Sequence, residues 1–134
     1  MKISDIMTRN PVTVSPGDSI KSAKMKMGEH GIKHLPVVDE ELHVVGILTD
    51  RDLKLKQAIS DDSSFHENAT VSKASNNIPF TVQPDIEVHE ALQHMLKNKI
   101  GSALVTENNK LLGIFTSVDA VKVLAILLGS KQAQ

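Results

Sequence analysis

Two short stretches of this 134-residue chain carry the same chemistry-bearing pattern, Gly-Ile-X-Thr-X-X-Asp. It occurs at Gly46–Asp52 and again 67 positions later at Gly113–Asp119. In each, a hydroxyl and a carboxylate stand three residues apart where a β-branched run gives way to a helical one. A carboxylate there can accept hydrogen bonds from the hydroxyls of a ribose, as the acidic residue of dinucleotide-binding folds does. The threonine hydroxyl can steady a sugar or a phosphate, because a helix N-terminus favours anions. The same spacing also makes a helix capping arrangement, in which threonine and aspartate satisfy each other's backbone N–H groups. Thr49, Asp52, Thr116 and Asp119 are therefore candidate ribose-binding residues, and the two roles are compatible.

The first motif has basic company that the second lacks. Lys33-His34 precedes the run Leu35-Pro36-Val37-Val38, and Arg51 lies inside the Thr-X-X-Asp motif itself. The corresponding residues of the second copy are Gly101, Ser102 and Val118, which supply no charge. Lys33, His34 and Arg51 are candidate phosphate ligands, or else ordinary solvated surface. If both motifs serve ligands, the two sites must differ in affinity or in preferred phosphate number.

The elements that position these groups come from a repeat. Displaced by 68 residues, Pro11 falls on Pro79, Thr13-Val14 on Thr81-Val82, Pro16 on Pro84, Ala23 on Ala91, Met27 on Met95, Ile32 on Ile100 and Val37 on Val105. One residue is lost after Asp39, and at a displacement of 67 Gly46-Ile47, Thr49 and Asp52 meet Gly113-Ile114, Thr116 and Asp119. Self-similarity over a whole unit marks a repeat architecture. The units span 1–58 and 71–128, with a polar linker over 59–70 that holds Ser60 to Asn68, and a tail over 129–134.

Within each unit, Pro11–Val14 is β-favouring and ends at the turn signal Ser15-Pro16-Gly17-Asp18. Val88, Ala91, Leu92, Met95 and Leu96 fall on one helical face, as do Ile20, Ala23 and Met27, with Gly28 and Gly31 closing the first helix. Two β-branched runs follow around the acidic turn Asp39-Glu40-Glu41, and a second helix begins after each motif threonine. Each unit reads β-α-β-β-α, an α/β (α+β) class. A unit this small buries too little surface alone, so two packed sheet to sheet, with pseudo-two-fold symmetry, are expected.

Composition narrows the function. The formal net charge of −1 opposes a nucleic-acid partner, which selects for basic excess. With three Phe and no Trp or Tyr, base stacking on exposed rings is nearly unavailable. There is no cysteine, hence no disulfide, thiolate metal site or cysteine nucleophile. That and the absence of a signal-peptide pattern at Met1–Asp5 fit a cytoplasmic protein. The most apolar run, Val118–Leu128, is too short to span a bilayer, and no membrane association is expected. His89-Glu90-Ala91-Leu92-Gln93-His94 is one residue too long for the zinc-protease pattern. His30 and His34 are separated by Gly31 and approach Pro36, so no metal site is expected. No nucleophile–base set or carboxylate pair emerges, and the repeats occupy nearly all of these residues. We expect a binding module rather than an enzyme, with no catalytic residues and no required cofactor.

These units resemble CBS domains (the cystathionine-β-synthase-type repeat), and the pair resembles a Bateman module. The resemblance rests on Asp5-Ile6-Met7-Thr8-Arg9-Asn10-Pro11, on Leu35-Pro36-Val37-Val38-Asp39 and on Gly46-Ile47-Leu48-Thr49-Asp50-Arg51-Asp52-Leu53. The second copy keeps Gly113 to Asp119 but has Ala103-Leu104 in place of Leu-Pro and Asn76-Asn77-Ile78-Pro79 at its start. The resemblance implies an adenine nucleotide (AMP, ADP or ATP) or S-adenosylmethionine as regulatory ligand, held in clefts between the repeats. It implies adenine slots at Val12 and Ile32 and at Phe80 and Ile100. It further implies that Val12 serves Thr116 and Asp119, and that Phe80 serves Thr49 and Asp52. Such pairs commonly form disc-like homodimers through their helices, and Val118, Val121, Leu124, Ala125 and Leu128 fit such a seam or intrachain packing. A sensor of this kind acts on a further protein. The alternative is a structural dimerisation module with vestigial clefts.

Overall fold

The computed structural model describes residues 1–59, 69–75 and 78–132. In chain order the elements are β1 (Thr8–Arg9), α1 (Ile20–His30), β2 (His34–Val38), β3 (Val44–Thr49), α2 (Asp50–Ile59), α3 (Val71–Ala74), β4 (Thr81–Val82), α4 (Val88–Asn98), β5 (Ser102–Glu107), β6 (Lys110–Thr116) and α5 (Ser117–Gln132). The linker residues Ser60–Asn68, together with Asn76 and Asn77, lie outside the described residues.

The chain forms two compact units that do not coincide with the two sequence repeats. The first unit is built from Pro11–Pro79 with Asn109–Leu111, and the second from Met1–Asn10, Phe80–Asn108 and the chain from Leu112 on. Each unit thus takes its lead-in segment from the other repeat.

In the first unit, Ser19 caps α1 by accepting the Ser22 N–H at 3.0 Å. Gly31, at φ +62°, ends it in the left-handed conformation that glycine adopts without a Cβ penalty. Between these caps the expected face of Ile20, Ala23 and Met27 is buried. Gly28 lies inside the helix rather than closing it. β2 and β3 pair antiparallel, with His34 opposite Thr49 and Leu35 opposite Leu48.

The strand expected at Pro11–Val14 shrinks to a single parallel bridge between Val14 and Val37. Val14 donates to Pro36 O at 3.0 Å and accepts from Val38 N–H at 2.9 Å. The prolines on either side have no N–H to extend the ladder.

The lead-in of the second repeat completes this unit. Val71 N–H donates to Asp18 O at 2.8 Å, Ser72 N–H to Pro16 O at 3.0 Å and Ile20 N–H to Ala69 O at 2.9 Å. Lys56 Nζ, from α2, donates to the carbonyls of Lys73 and Ala74 at the end of α3. Val14, Ile20, Ala23, Leu35, Leu48, Leu53 and Val71 form the core.

The second unit has a four-stranded sheet in the order β1-β6-β5-β4, with β1 antiparallel to β6 and β4 parallel to β5. The lead-in of the first repeat is sewn into it. Ile3 N–H donates to Ile86 O at 2.9 Å and Val88 N–H to Met1 O at 3.0 Å, while Thr8 faces Ile114. Phe115, Ile3, Ala91, Met95, Ala103 and Val105 make its core. On α4 the expected apolar face holds for Ala91 and Met95, but Leu96 is 79% exposed. Among the described residues, no helix is long and apolar enough to cross a membrane.

Candidate functional site

In the first unit, strand pairing and helix start bring the expected groups together. The β2–β3 register sets His34 directly opposite Thr49, the last residue of β3. α2 begins at the next residue, and Asp50 N–H donates to Lys33 O at 3.0 Å, which ties the helix start to the lead of β2. Thr49 Oγ1 accepts the Asp52 N–H at 3.0 Å, as a helix-capping hydroxyl does.

Around this junction lies a pocket of about 430 Å³ lined by Lys33, His34, Thr49, Asp50, Arg51, Lys54 and Leu55. The three expected phosphate ligands thus converge with one of the expected ribose residues. Asp50, Lys54 and Leu55 were not anticipated as lining. Lys54 stands one helical turn beyond Arg51, a spacing that puts both on one helix face. Lys54 Nζ pairs with Asp50 Oδ2 at 3.0 Å.

The pocket's electrostatics show at His34. Burial holds its imidazole below the usual range, with Lys33 acting in the same direction and the Asp52 carboxylate opposing both. Val12 and Ile32 are half-buried against the unit's core and lie outside the lining of this pocket.

In the second unit the motif is closed on itself. Asp119 Oδ2 accepts the Thr116 N–H at 3.0 Å and the Thr116 hydroxyl at 3.4 Å, and Asp119 N–H donates to Thr116 Oγ1 at 3.5 Å. This is the reciprocal capping box. The other carboxylate oxygen, Oδ1, accepts the Thr8 hydroxyl at 3.2 Å. Phe80 and Ile100 are half-buried against the core, and the Phe80 ring is stacked by His94, with centroids 3.9 Å apart and planes 19° from parallel. Ser117 N–H donates to Gly101 O at 3.1 Å, reproducing the Asp50–Lys33 bond of the first unit. The backbone repeats; the charge does not, because Val118 and Val121 replace Arg51 and Lys54.

Each unit holds one Thr/Asp motif and the slot residues of its own repeat. The expected partnerships of Val12 with Thr116 and Asp119, and of Phe80 with Thr49 and Asp52, join residues of different units. Among the described residues no group of three or more His, Asp or Glu is placed to hold a metal ion.

The family model for the CBS domain matches twice, at residues 3–58 and 71–126. The chain belongs to the CBS-domain family. It carries a tandem CBS pair, and both copies of the Thr/Asp motif fall inside the matched segments.

An uncharacterised protein of Methanopyrus kandleri, MK0525, is 32% identical over 124 residues, covering 92% of this chain and 62% of its own length. The inosine-5′-monophosphate dehydrogenase of Methanocaldococcus jannaschii is 34% identical over 122 residues, covering 90% of this chain and 23% of the enzyme. The chain therefore spans less than two thirds of either relative. Its likeness to the dehydrogenase covers only a CBS portion of that larger protein.

Among solved structures, the CBS domain pair of protein MJ0100 in complex with 5′-methylthioadenosine and S-adenosyl-L-methionine matches with a TM-score of 0.81 and 28% identity, covering 98% of both chains. CBSX2 in complex with AMP matches with a TM-score of 0.79 and 25% identity, covering 94% of this chain and 97% of that one.

Proposed function

We propose that this CBS pair is a regulatory module that binds an adenosyl ligand, and that the first unit carries the working site. The observation that supports this most is the convergence of Thr49, His34, Lys33 and Arg51 on one pocket beside Asp52. In this reading the Asp52 carboxylate accepts from the ribose hydroxyls and the Thr49 hydroxyl steadies the sugar. The base takes an apolar slot, for which the family resemblance offers Val12 and Ile32 or Phe80 and Ile100, in the usual form of a small-molecule pocket with a few polar groups fixing orientation. Structures of similar CBS pairs with AMP or with methylthioadenosine and S-adenosylmethionine support the ligand class. Ligand binding then acts by favouring one of two conformations, to the extent that its affinity for them differs. The role is binding rather than catalysis.

The vestigial reading applies to the second unit. There Gly101, Ser102, Val118 and Val121 offer no cation, and His94 stacks on Phe80. Thr116 and Asp119 belong to the weaker site.

We further propose a homodimer seamed by α5. Val118, Val121, Leu124 and Leu128 on that helix are each more than half exposed, more apolar surface than an isolated domain ordinarily leaves in water.

The test is a thermal-shift panel of AMP, ADP, ATP, NAD and S-adenosylmethionine, followed by calorimetric titration. A ligand at 100 times its dissociation constant adds about 2.7 kcal/mol, which raises the melting temperature by several degrees. Asp52→Ala is expected to abolish the stronger binding step and Asp119→Ala to leave it. A folded protein that responds to none of these compounds overturns the reading.

A further inference from the structure

The lead-in of the second repeat is fastened to both elements that meet at the pocket of the first unit. We propose that Lys56 is a positioning residue that clamps α3 to α2, so that occupancy of the pocket at the start of α2 governs how firmly the second repeat's lead-in is held. The trigger rests on the adenosyl-binding reading above; the clamp itself does not.

α3 is a single turn, and a helix leaves its last carbonyls without partners of its own. Here one ammonium takes two of them. Lys56 Nζ donates to Lys73 O at 2.9 Å and to Ala74 O at 2.8 Å, and the donor's charge strengthens both bonds. At the next residue, Ser75 Oγ donates to Ile47 O of β3 at 3.1 Å. Val71 and Ala74 are buried in the core that also holds Leu48 of β3 and Leu53 of α2. α3 thus braces the β3–α2 junction, where Thr49 Oγ1 accepts the Asp52 N–H at 3.0 Å.

Asp50, Arg51 and Lys54 of α2 line the pocket. Asp52 and Lys56 are four residues apart, so they share one face of that helix. A hydrogen-bonded helix moves as a rigid element, and a shift at its start reaches Lys56 nearly undiminished. Bonds of 2.8 and 2.9 Å are lost beyond about 3.5 Å. A displacement of less than about 1 Å therefore decides whether the clamp holds.

The second unit has the same frame without the clamp. Ile3 N–H donates to Ile86 O and Ser4 N–H to Pro84 O, as Val71 N–H does to Asp18 O and Ser72 N–H to Pro16 O in the first. Where Lys56 stands on α2, Val123 stands on α5 and has no donor. A lead-in of this kind thus folds without a lysine, and the two bonds of Lys56 are an addition peculiar to the first unit.

Residue-resolved amide hydrogen exchange on the full chain tests the clamp and the trigger separately. Lys56→Met keeps most of the apolar stem and removes the donors. Without ligand, the Val71, Ser72 and Ser75 amides of this variant are expected to exchange on the order of tenfold faster than in the wild type. Those of α1 and of the β2–β3 pair should not change, and Lys56→Arg should restore part of the protection. Unchanged protection of the three amides, or an equal loss across the whole unit, overturns the clamp and the proposal with it.

Saturating AMP, or S-adenosylmethionine if AMP does not bind, is expected to slow the three amides of the wild type several-fold more than those of α1. Lys56→Met should still bind the same compound by calorimetry and show no such slowing. Equal slowing in both proteins, or none in the wild type, overturns the coupling while the adenosyl-binding function stands. Loss of binding in Lys56→Met makes it a ligand residue and overturns the positioning role. Failure of both compounds to bind the wild type overturns the function and the coupling together, and the ligand-free exchange still decides the clamp.

Discussion

Ser75 lies so close over Gly46 that a Cβ built on the glycine would sit 2.6 Å from Ser75 Oγ, while that same hydroxyl donates to Ile47 O at 3.1 Å. Met7 is the residue of the first repeat equivalent to Ser75, and it covers Gly113 in the same way. There a Cβ would lie 2.6 Å from Met7 Sδ and 2.8 Å from Thr8 O. The glycine that opens each Gly-Ile-X-Thr-X-X-Asp motif is thus the floor on which the lead-in segment of the other repeat rests. It is required for close approach and not for its backbone angle.

The two glycines should respond differently to alanine. At Gly113 the obstacle includes the Thr8 carbonyl, held by β1–β6 pairing, so the backbone must shift. Gly113→Ala is expected to cost about 1–3 kcal/mol, the usual range for overpacking. Gly46→Ala meets a hydroxyl that can rotate away at the loss of one hydrogen bond, and should cost less. Chemical denaturation of Gly46→Ala, Ser75→Ala and the double variant checks this. The double variant is expected to recover most of the Gly46→Ala loss, a coupling that distant sites do not show.

Asp119 should prove a structural residue before it proves a ligand. Asp119→Ala removes the capping box and the Thr8 contact together, and is expected to cost about 1 kcal/mol. Thr8→Ala removes only the bond to Oδ1 and should cost less than half of that. Urea unfolding of the two single variants and the double should show Thr8→Ala without effect once Asp119 is gone.

Stability should depend on pH through His34. Its folded-state pKa lies below the ordinary 6.5 because burial disfavours the charged ring. The unfolded chain therefore binds more protons between the depressed value and about 6.5, and ligand-free stability rises with pH across that window. Below it, the His34 contribution is constant. Melting temperatures from pH 5 to 8 should rise less steeply in His34→Gln than in the wild type.

The exposed face of α5 gives the dimer its test. Val121→Glu with Leu124→Glu places two charges on the proposed seam. Sedimentation is expected to show a dimer for the wild type and a monomer for the variant, each with an intact far-UV spectrum. A monomeric wild type at high concentration overturns the dimer.

Much of this molecule was legible from the residues because local rules act locally. The helical face Ile20, Ala23 and Met27, the hairpin around Asp39–Glu41 and the helix starts after Thr49 and Thr116 all follow from period and from caps. So did Lys33, His34 and Arg51 as a group, since the β2–β3 register and the α2 start sit within a few residues of one another.

Other features depended on residues far apart in the chain. Periodicity marks a lead-in segment but not which repeat it joins. Only the packing of distant segments shows it, with Met7 over Gly113 and Ser75 over Gly46. The sequence alone also left Asp52 and Asp119 as twins. Tertiary structure supplies what spacing could not: Thr8, 111 residues away, donates to an Asp119 oxygen, and the Asp52 carboxylate acts on the imidazole of His34. A side chain's type is written in the chain, but the field and partners around it arise only when distant segments pack.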